Sequence, residues 1–448
     1  MRRFFIPIGS FAALALFGCT SDSSFPTVSG KGTLRAVNAI PGSPEIAFLI
    51  EERVVGGAEY KSSTTGTRYD NLNYTFNFEA RFAGESTRRR IGSRNLDVVA
   101  DKDYTFVLSG SLAAPTITLW EGDERTWEGS ETVFEARLAH TAASLGDVDV
   151  YFAAPGTAPL LGEQLGTLSF GEILPAAEFA EGDYVLTVTA AGDPTTVYFT
   201  SATNTFGARA VLILVAFDGD GNDSAPIIVR TISPMGGNSS IPDANFPPRL
   251  RFIHASMALE TADIYDDPAL ASPIVTNHGF GEVTADLASA AGDLSLTYTA
   301  AGNSGAILFE GDTSLTTGTV NHYVVVGGTI DELTGIRFVP ERRVVETFAK
   351  LQFMHAAANH DATDVYVVAA DTDITDALPF FFSIGFGSAP IAAGLDAGSY
   401  DVYITPVGEK TVITGPVRLD VAPGDIVDTI LYDTVDPATA ELRFIPVP

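Results

Sequence analysis

The sequence predicts an all-β protein, with four tandem immunoglobulin-like antiparallel β-sandwich domains following an N-terminal signal peptide. Three observations predict it. Apolar residues alternate with period two and not with helical spacing. One pattern returns about every hundred residues. Glycines stand at fixed offsets inside that pattern, where turns need a positive φ. The alternation is clearest over residues 400–405, where Tyr400, Val402 and Ile404 face inward and Asp401, Tyr403 and Thr405 outward. Tyr184, Leu186 and Val188 repeat it, as do Leu294, Leu296 and Tyr298. About seven short strands fit each unit, the strand density of an immunoglobulin-like sandwich.

Composition bounds the function classes. Of 448 residues, 56 are acidic and 26 basic, a formal charge of −30. Phosphate binding needs a basic footprint, so nucleic acid is not the expected partner. A hydrophobic share of 46% is ample for packed cores. One cysteine excludes an intrachain disulfide and any Cys-based metal cluster.

The chain opens with Arg2 and Arg3, continues with an apolar stretch from Phe4 to Phe17, and reaches Cys19 through Leu16, Phe17 and Gly18. The stretch is short for a bilayer of about 30 Å and reads as an export signal. The run Leu-Phe-Gly-Cys resembles the lipobox of bacterial lipoproteins, although Phe17 is bulkier than that pattern usually has. The resemblance implies that 1–18 is a lipoprotein signal peptide and that Cys19 becomes the acylated N-terminus, so the membrane is the expected partner. Palmitate-like chains give stable anchoring when two or more are present. Residues 19–30 are polar and turn-rich, as expected of a flexible tether. The residue after the cysteine, Thr20, fits an outer-membrane address by analogy with enteric lipoproteins.

The repeats follow. Residues 137–151, 250–265 and 351–366 share a strand-like run, His-Ala, a turn, and Asp-Val/Ile-Tyr. His140 and Asp149, His254 and Asp263, and His355 and Asp364 are each nine residues apart. Phe170-Gly171, Phe280-Gly281 and Phe386-Gly387 come next, then Gly182, Gly292 and Gly398, then Gly192, Gly302 and Gly408, at matching offsets. The first unit is divergent, with Asn38 in place of the His and Ala47 in place of the Asp. The expected units are 31–133, 134–244, 249–347 and 348–448, with the Pro- and Gly-rich stretch 234–248 as the clearest linker. This pattern resembles the bacterial domain-of-unknown-function family numbered 4397, whose members occur in tandem in secreted and lipid-anchored proteins. The resemblance covers units two to four well and unit one loosely. It implies a sandwich-like fold and an address, and no chemistry.

Candidate sites are few. The three histidines lie in three different units and share a face with core residues such as Leu250 and Phe252, so they are expected to be structural. Each is expected to hydrogen-bond the Asp nine residues on, or a nearby backbone group, tying two strands together. Asp218, Asp220, Asn222 and Asp223 read either as a hairpin turn or as a calcium loop. The EF-hand pattern fails at Asp223 and Val229. Trp120 and Trp127 suit core packing or a joint between units one and two, with sugar binding as the alternative. Arg88 to Arg90 fits a solvated loop, and His278 with His322 a chance pair in unit three.

No esterase elbow, zinc-protease helix motif or phosphate-cradling loop occurs, so catalysis is not expected and no catalytic residue or cofactor is assigned. The sequence therefore points to a cell-envelope lipoprotein of repeats forming a rod, with a structural, adhesive or ligand-binding role toward a protein or polysaccharide of the envelope. Two alternatives stand beside it: a hydrolase with its site at a repeat junction, and an accessory subunit of an envelope assembly.

Overall fold

The computed structural model describes residues 27–445 and 447, so the signal segment 1–18 and Cys19 lie outside the described residues. The fold is all-β, four tandem immunoglobulin-like sandwiches, with one 3₁₀ turn at Ile330–Glu332 among the described residues. Each unit holds two sheets. The sheet carrying the histidine strand is called the inner sheet below, and the other the outer sheet.

Unit three shows the plan. Its inner sheet runs Leu287–Ala288, Arg249–His254, Val320–Val326, Thr334–Phe338. Its outer sheet runs Val275–His278, Ala262–Tyr265, Gly292–Ala300, Asn303–Leu315. Unit four repeats this with Ala349–His355 beside Ile426–Asp433 in the inner sheet and Thr363–Ala369 beside Gly398–Pro406 in the outer. These two units have eight strands each, against the seven read from the sequence, because very short edge strands such as Leu287–Ala288 leave no alternation to read.

One pair in every unit is parallel. The first inner strand lies parallel to the strand that returns after the outer sheet is built, in the registers Asn38↔Leu108, His140↔Ala216, His254↔Val325 and His355↔Leu431. The remaining ladders are antiparallel. The alternation read from the sequence holds in three dimensions: Leu294, Leu296 and Tyr298 enter the core of unit three, and Val402 and Ile404 that of unit four. Leu250 and Phe252 face the same core, on the side of the strand that His254 shares.

The inner sheets are buried on both faces, which gives continuous apolar runs where alternation would otherwise be expected. All seven residues of Val320–Val326 and of Ala349–His355 are buried. The second face is covered by the neighbouring unit. Val37, Val107 and Trp120 of unit one pack on Ala139, Val215, Phe217 and Ile228 of unit two. Ile253, Val324 and Val326 of unit three pack on Met354, Ile430 and Tyr432 of unit four. Fully covering a large apolar side chain contributes roughly 1.5–3 kcal/mol, so these joints are substantial.

The units therefore do not form the end-to-end rod expected from the sequence. They pair face to face, one with two and three with four. The segment 339–347 then ties the pairs together: Arg343 donates to the Ser43 carbonyl at 3.0 Å, the Arg342 amide to Asn222 at 2.6 Å, and the Glu346 amide to the Gly42 carbonyl at 2.7 Å. Nor is 234–248 only a linker, since Asn238–Ile241 adds a fifth strand to the inner sheet of unit two.

Candidate functional site

The repeated residues form one framework. In each of units two to four the histidine Nε2 meets a backbone carbonyl six residues on: Gly146 at 3.1 Å, Glu260 at 3.3 Å and Asp361 at 2.9 Å. A carbonyl only accepts, so Nε2 carries the hydrogen, and the buried Nδ1 is without a partner in all three. Burial pushes all three imidazoles below their ordinary pKa, with the carbonyl bond opposing. The Phe-Gly pair explains itself here. Phe170, Phe280 and Phe386 stand edge-on to their histidines at 6.1, 6.3 and 6.1 Å, while the following glycine donates its amide to the histidine carbonyl.

The aspartates do a separate task, and the His–Asp pairs 140/149, 254/263 and 355/364 are not hydrogen-bonded to each other. Asp263 accepts the amides of Asn277 and Gly302, both at 2.8 Å. Asp364 accepts those of Ser383 at 2.7 Å and Gly408 at 2.9 Å, and Asp149 accepts the Thr167 hydroxyl at 2.5 Å and the Gly192 amide at 2.7 Å. The reason is topological: His lies in the inner sheet and Asp in the outer, and each finds backbone partners nearer than the other side chain. Of the two partners expected for the histidine, the backbone group is the one found. In unit one, Asn38 replaces the imidazole by donating to the Ala58 carbonyl and Ser43 and accepting the Ile40 amide.

The acidic loop at 218–223 lies against unit one. Asp220 and Asp223 both pair with the Lys61 ammonium, Asp218 accepts from Ser144, and Asn222 bridges to Arg342 and Glu341. An ammonium thus stands where the calcium reading places a metal. Among the described residues no group of three or more His, Cys, Asp or Glu is placed to hold a metal ion. Trp120 is buried in the joint between units one and two and donates to the Gly171 carbonyl at 2.9 Å, while Trp127 lies under Arg125 at 4.2 Å.

A position missed in the sequence shapes both joints. Three residues before each His, or before Asn38, stand Arg35, Arg137, Arg251 and Gln352. Period two turns this side chain away from its own core and toward the neighbouring unit. Between units three and four the result is a closed polar knot. Arg342 grips Asp286 with both nitrogens at 2.5 and 2.9 Å and touches His322 at 3.0 Å, and Arg251 adds 3.1 Å to the same carboxylate. Burial drives His322 down to about 3, with the arginines adding to the effect, and Asp428 up to about 7.

Between units one and two the layer opens into a cleft of about 390 Å³. Its polar lining holds the Arg35–Asp103 ion pair, Arg137 and Glu135, and its apolar lining Ile213 and Ile232, which stand on the same sheet as Arg137. Arg35 is 1% exposed, yet its Nε and Asp103 Oδ1 are buried without partners. Burial raises the carboxyls of Asp103 and Glu135 above their ordinary values and lowers Arg137. Such a gathering can hold a small polar ligand against an apolar floor. Sequence reading could have found it, since an arginine recurs at one offset in three units.

No curated protein matches this chain. Among solved structures, the Bacillus anthracis TIE protein is similar at 10% identity over 90% of this chain and 68% of that one, with a TM-score of 0.14. A family model does match, over unit one, where the repeat pattern is loosest, and the start of unit two. Residues 32–151 match the family described as Domain of unknown function (DUF4397), the family that the repeats resemble.

Proposed function

We propose that this chain is a cell-envelope lipoprotein, moored by lipid on Cys19 in the outer membrane, whose paired sandwiches serve as a non-catalytic binding module. The observation that carries the binding role is the cleft between units one and two, where charged groups and an apolar wall meet in about 390 Å³. The acidic surface keeps such a module soluble beside its membrane. The test is native mass spectrometry of the processed chain after incubation with envelope small-molecule extract, compared with Ala176→Trp, which fills the rim of the cleft. A small ligand held by the parent and lost in the variant is expected. No retained ligand would overturn the binding role, and a cysteine found free of lipid in the purified protein would overturn the mooring.

A junction hydrolase is the second reading, favoured by the raised carboxyl of Glu135 in that cleft. It predicts turnover of ester, amide or glycoside substrates that Glu135→Gln abolishes.

A further inference from the structure

We propose that the cleft between units one and two takes a zwitterion with an apolar side group, a free α-amino acid or a short peptide, with Arg137 meeting its carboxylate and Glu135 its ammonium. The inference rests on the binding-module reading and adds the chemistry of the ligand. Arginines occupy the same offset in three units, and two of them are spent: Arg35 pairs with Asp103 and Arg251 with Asp286. Arg137 differs. Among the described residues its one hydrogen bond runs from Nε to the Leu174 carbonyl at 3.2 Å, and Asp103 and Glu135 act on it through their fields without a closed ion pair. Its Nη1 lies beside Gly122, where a Cβ would come to 3.0 Å and push the guanidinium by a few tenths of an ångström.

Glu135 stands two residues away on the same strand, Val133–His140. Alternation therefore sets both side chains on the face that turns from the core of unit two, about 7 Å apart along the strand. Phe134, Ala136 and Leu138 fill that core instead. Among the described residues the Glu135 carboxylate makes no hydrogen bond or ion pair, and the basic charges that act on it are Arg125 and Arg137. The two charges feel each other's field without a hydrogen bond between them, so each keeps donor or acceptor positions for a ligand. A simple anion would use only the guanidinium, and a simple cation only the carboxylate. A zwitterion satisfies both. Ile213, paired with Arg137 on the next strand of the same sheet, and Ile232 beside it offer its side group an apolar surface. Desolvated polar groups left unpaired in an occupied site are costly, so an analogue lacking either charge should be rejected.

The experiment is isothermal titration of the processed full chain with leucine, leucinamide, N-acetyl-leucine and leucyl-leucine. Leucine or the dipeptide should bind, and each blocked form should bind about tenfold more weakly or worse. The tighter of leucine and leucyl-leucine identifies the source. Arg137→Gln should abolish the preference for leucine over leucinamide, and Glu135→Gln the preference for leucine over N-acetyl-leucine. Ala176→Trp, at an exposed rim position, should remove binding without touching the core, and it serves as the probe if either charge variant fails to fold. Equal binding of the blocked and free forms, absence of binding at millimolar ligand, or binding that survives Ala176→Trp would overturn the proposal. An extract-derived ligand of another class would refute the zwitterion while preserving the binding module; an empty cleft in both experiments would refute both.

Discussion

The aspartates of the repeat act as clamps, not charges: each takes one donor from an edge strand and one from a hairpin turn, so one short side chain fixes both parts of the outer sheet together. Asp364→Ala frees the buried amides of Ser383 and Gly408 and should cost about 1–3 kcal/mol, read from urea unfolding at pH 7. Asp428 works the other way. It sits 6% exposed in the polar knot with Oδ1 unpartnered, and burial pushes its pKa up to about 7 against an ordinary 3.8. A carboxyl raised on folding contributes stability that is complete below about 3.8 and lost as pH rises through about 7. Asp428→Asn should therefore stabilise the protein by about 1–3 kcal/mol at pH 8 and change little at pH 4, measured by unfolding at both. His322 pulls in the opposite sense. Its pKa falls to about 3 on folding, so its contribution is complete above about 6.5 and lost as pH falls from there through about 3. A variant His322→Gln should flatten the acid limb of the same stability profile.

At the scale of the element, the Phe-Gly turn shows how much a backbone conformation and a neighbour each weigh. Gly171 and Gly281 have φ of +86° and +81°, in the left-handed region, and both donate to a histidine carbonyl. A Cβ at Gly171 would meet nothing closer than the Thr118 hydroxyl at 3.8 Å, so Gly171→Ala should cost only the left-handed penalty, roughly 1–2 kcal/mol. At Gly281 the same atom would lie 2.0 Å from Arg443 Nη1 and displace a guanidinium stacked 5.3 Å from Phe280. Gly281→Ala should therefore destabilise more than Gly171→Ala, and paired thermal unfolding curves decide it. These turns were legible in the sequence because turn chemistry is local: a glycine, a fixed offset and a histidine suffice. The partner of that histidine was only half legible, since the choice between Asp and a backbone carbonyl depends on which sheet each strand joins. The parallel strand pair was not legible at all, because alternation has the same period in both directions of a strand. The double burial of the inner sheets was written in runs such as Tyr323 to Val326, which are apolar at successive positions. The recurring arginine was equally visible, but its meaning appears only when two inner sheets face each other.

For the whole molecule, pairing of sandwiches separates two kinds of burial within a single strand. In Ile426–Asp433, Leu431 enters the core of unit four, whereas its neighbour Ile430 enters the joint with unit three. Their exposures are 0% and 1%, so burial alone does not distinguish them. Their substitutions should nonetheless differ in kind. Leu431→Asp places a carboxylate inside the sandwich, where an unpaired charge is too costly to hold, and unit four should unfold. Ile430→Asp leaves that core intact and places the charge between two sheets that can part and admit water. The joint should open while both sandwiches persist. Small-angle scattering should then show a larger radius of gyration with unchanged β-sheet circular dichroism for Ile430→Asp, and lost dichroism for Leu431→Asp. The hydrogen bonds of Arg342 and Arg343 to units one and two would keep the opened molecule tethered at 339–347, so the added Arg343→Ala should enlarge it further. If Ile430→Asp instead unfolded unit four as Leu431→Asp does, the joint and the sandwich would be one cooperative body and the face-to-face pair, not the single unit, would be the element that folds.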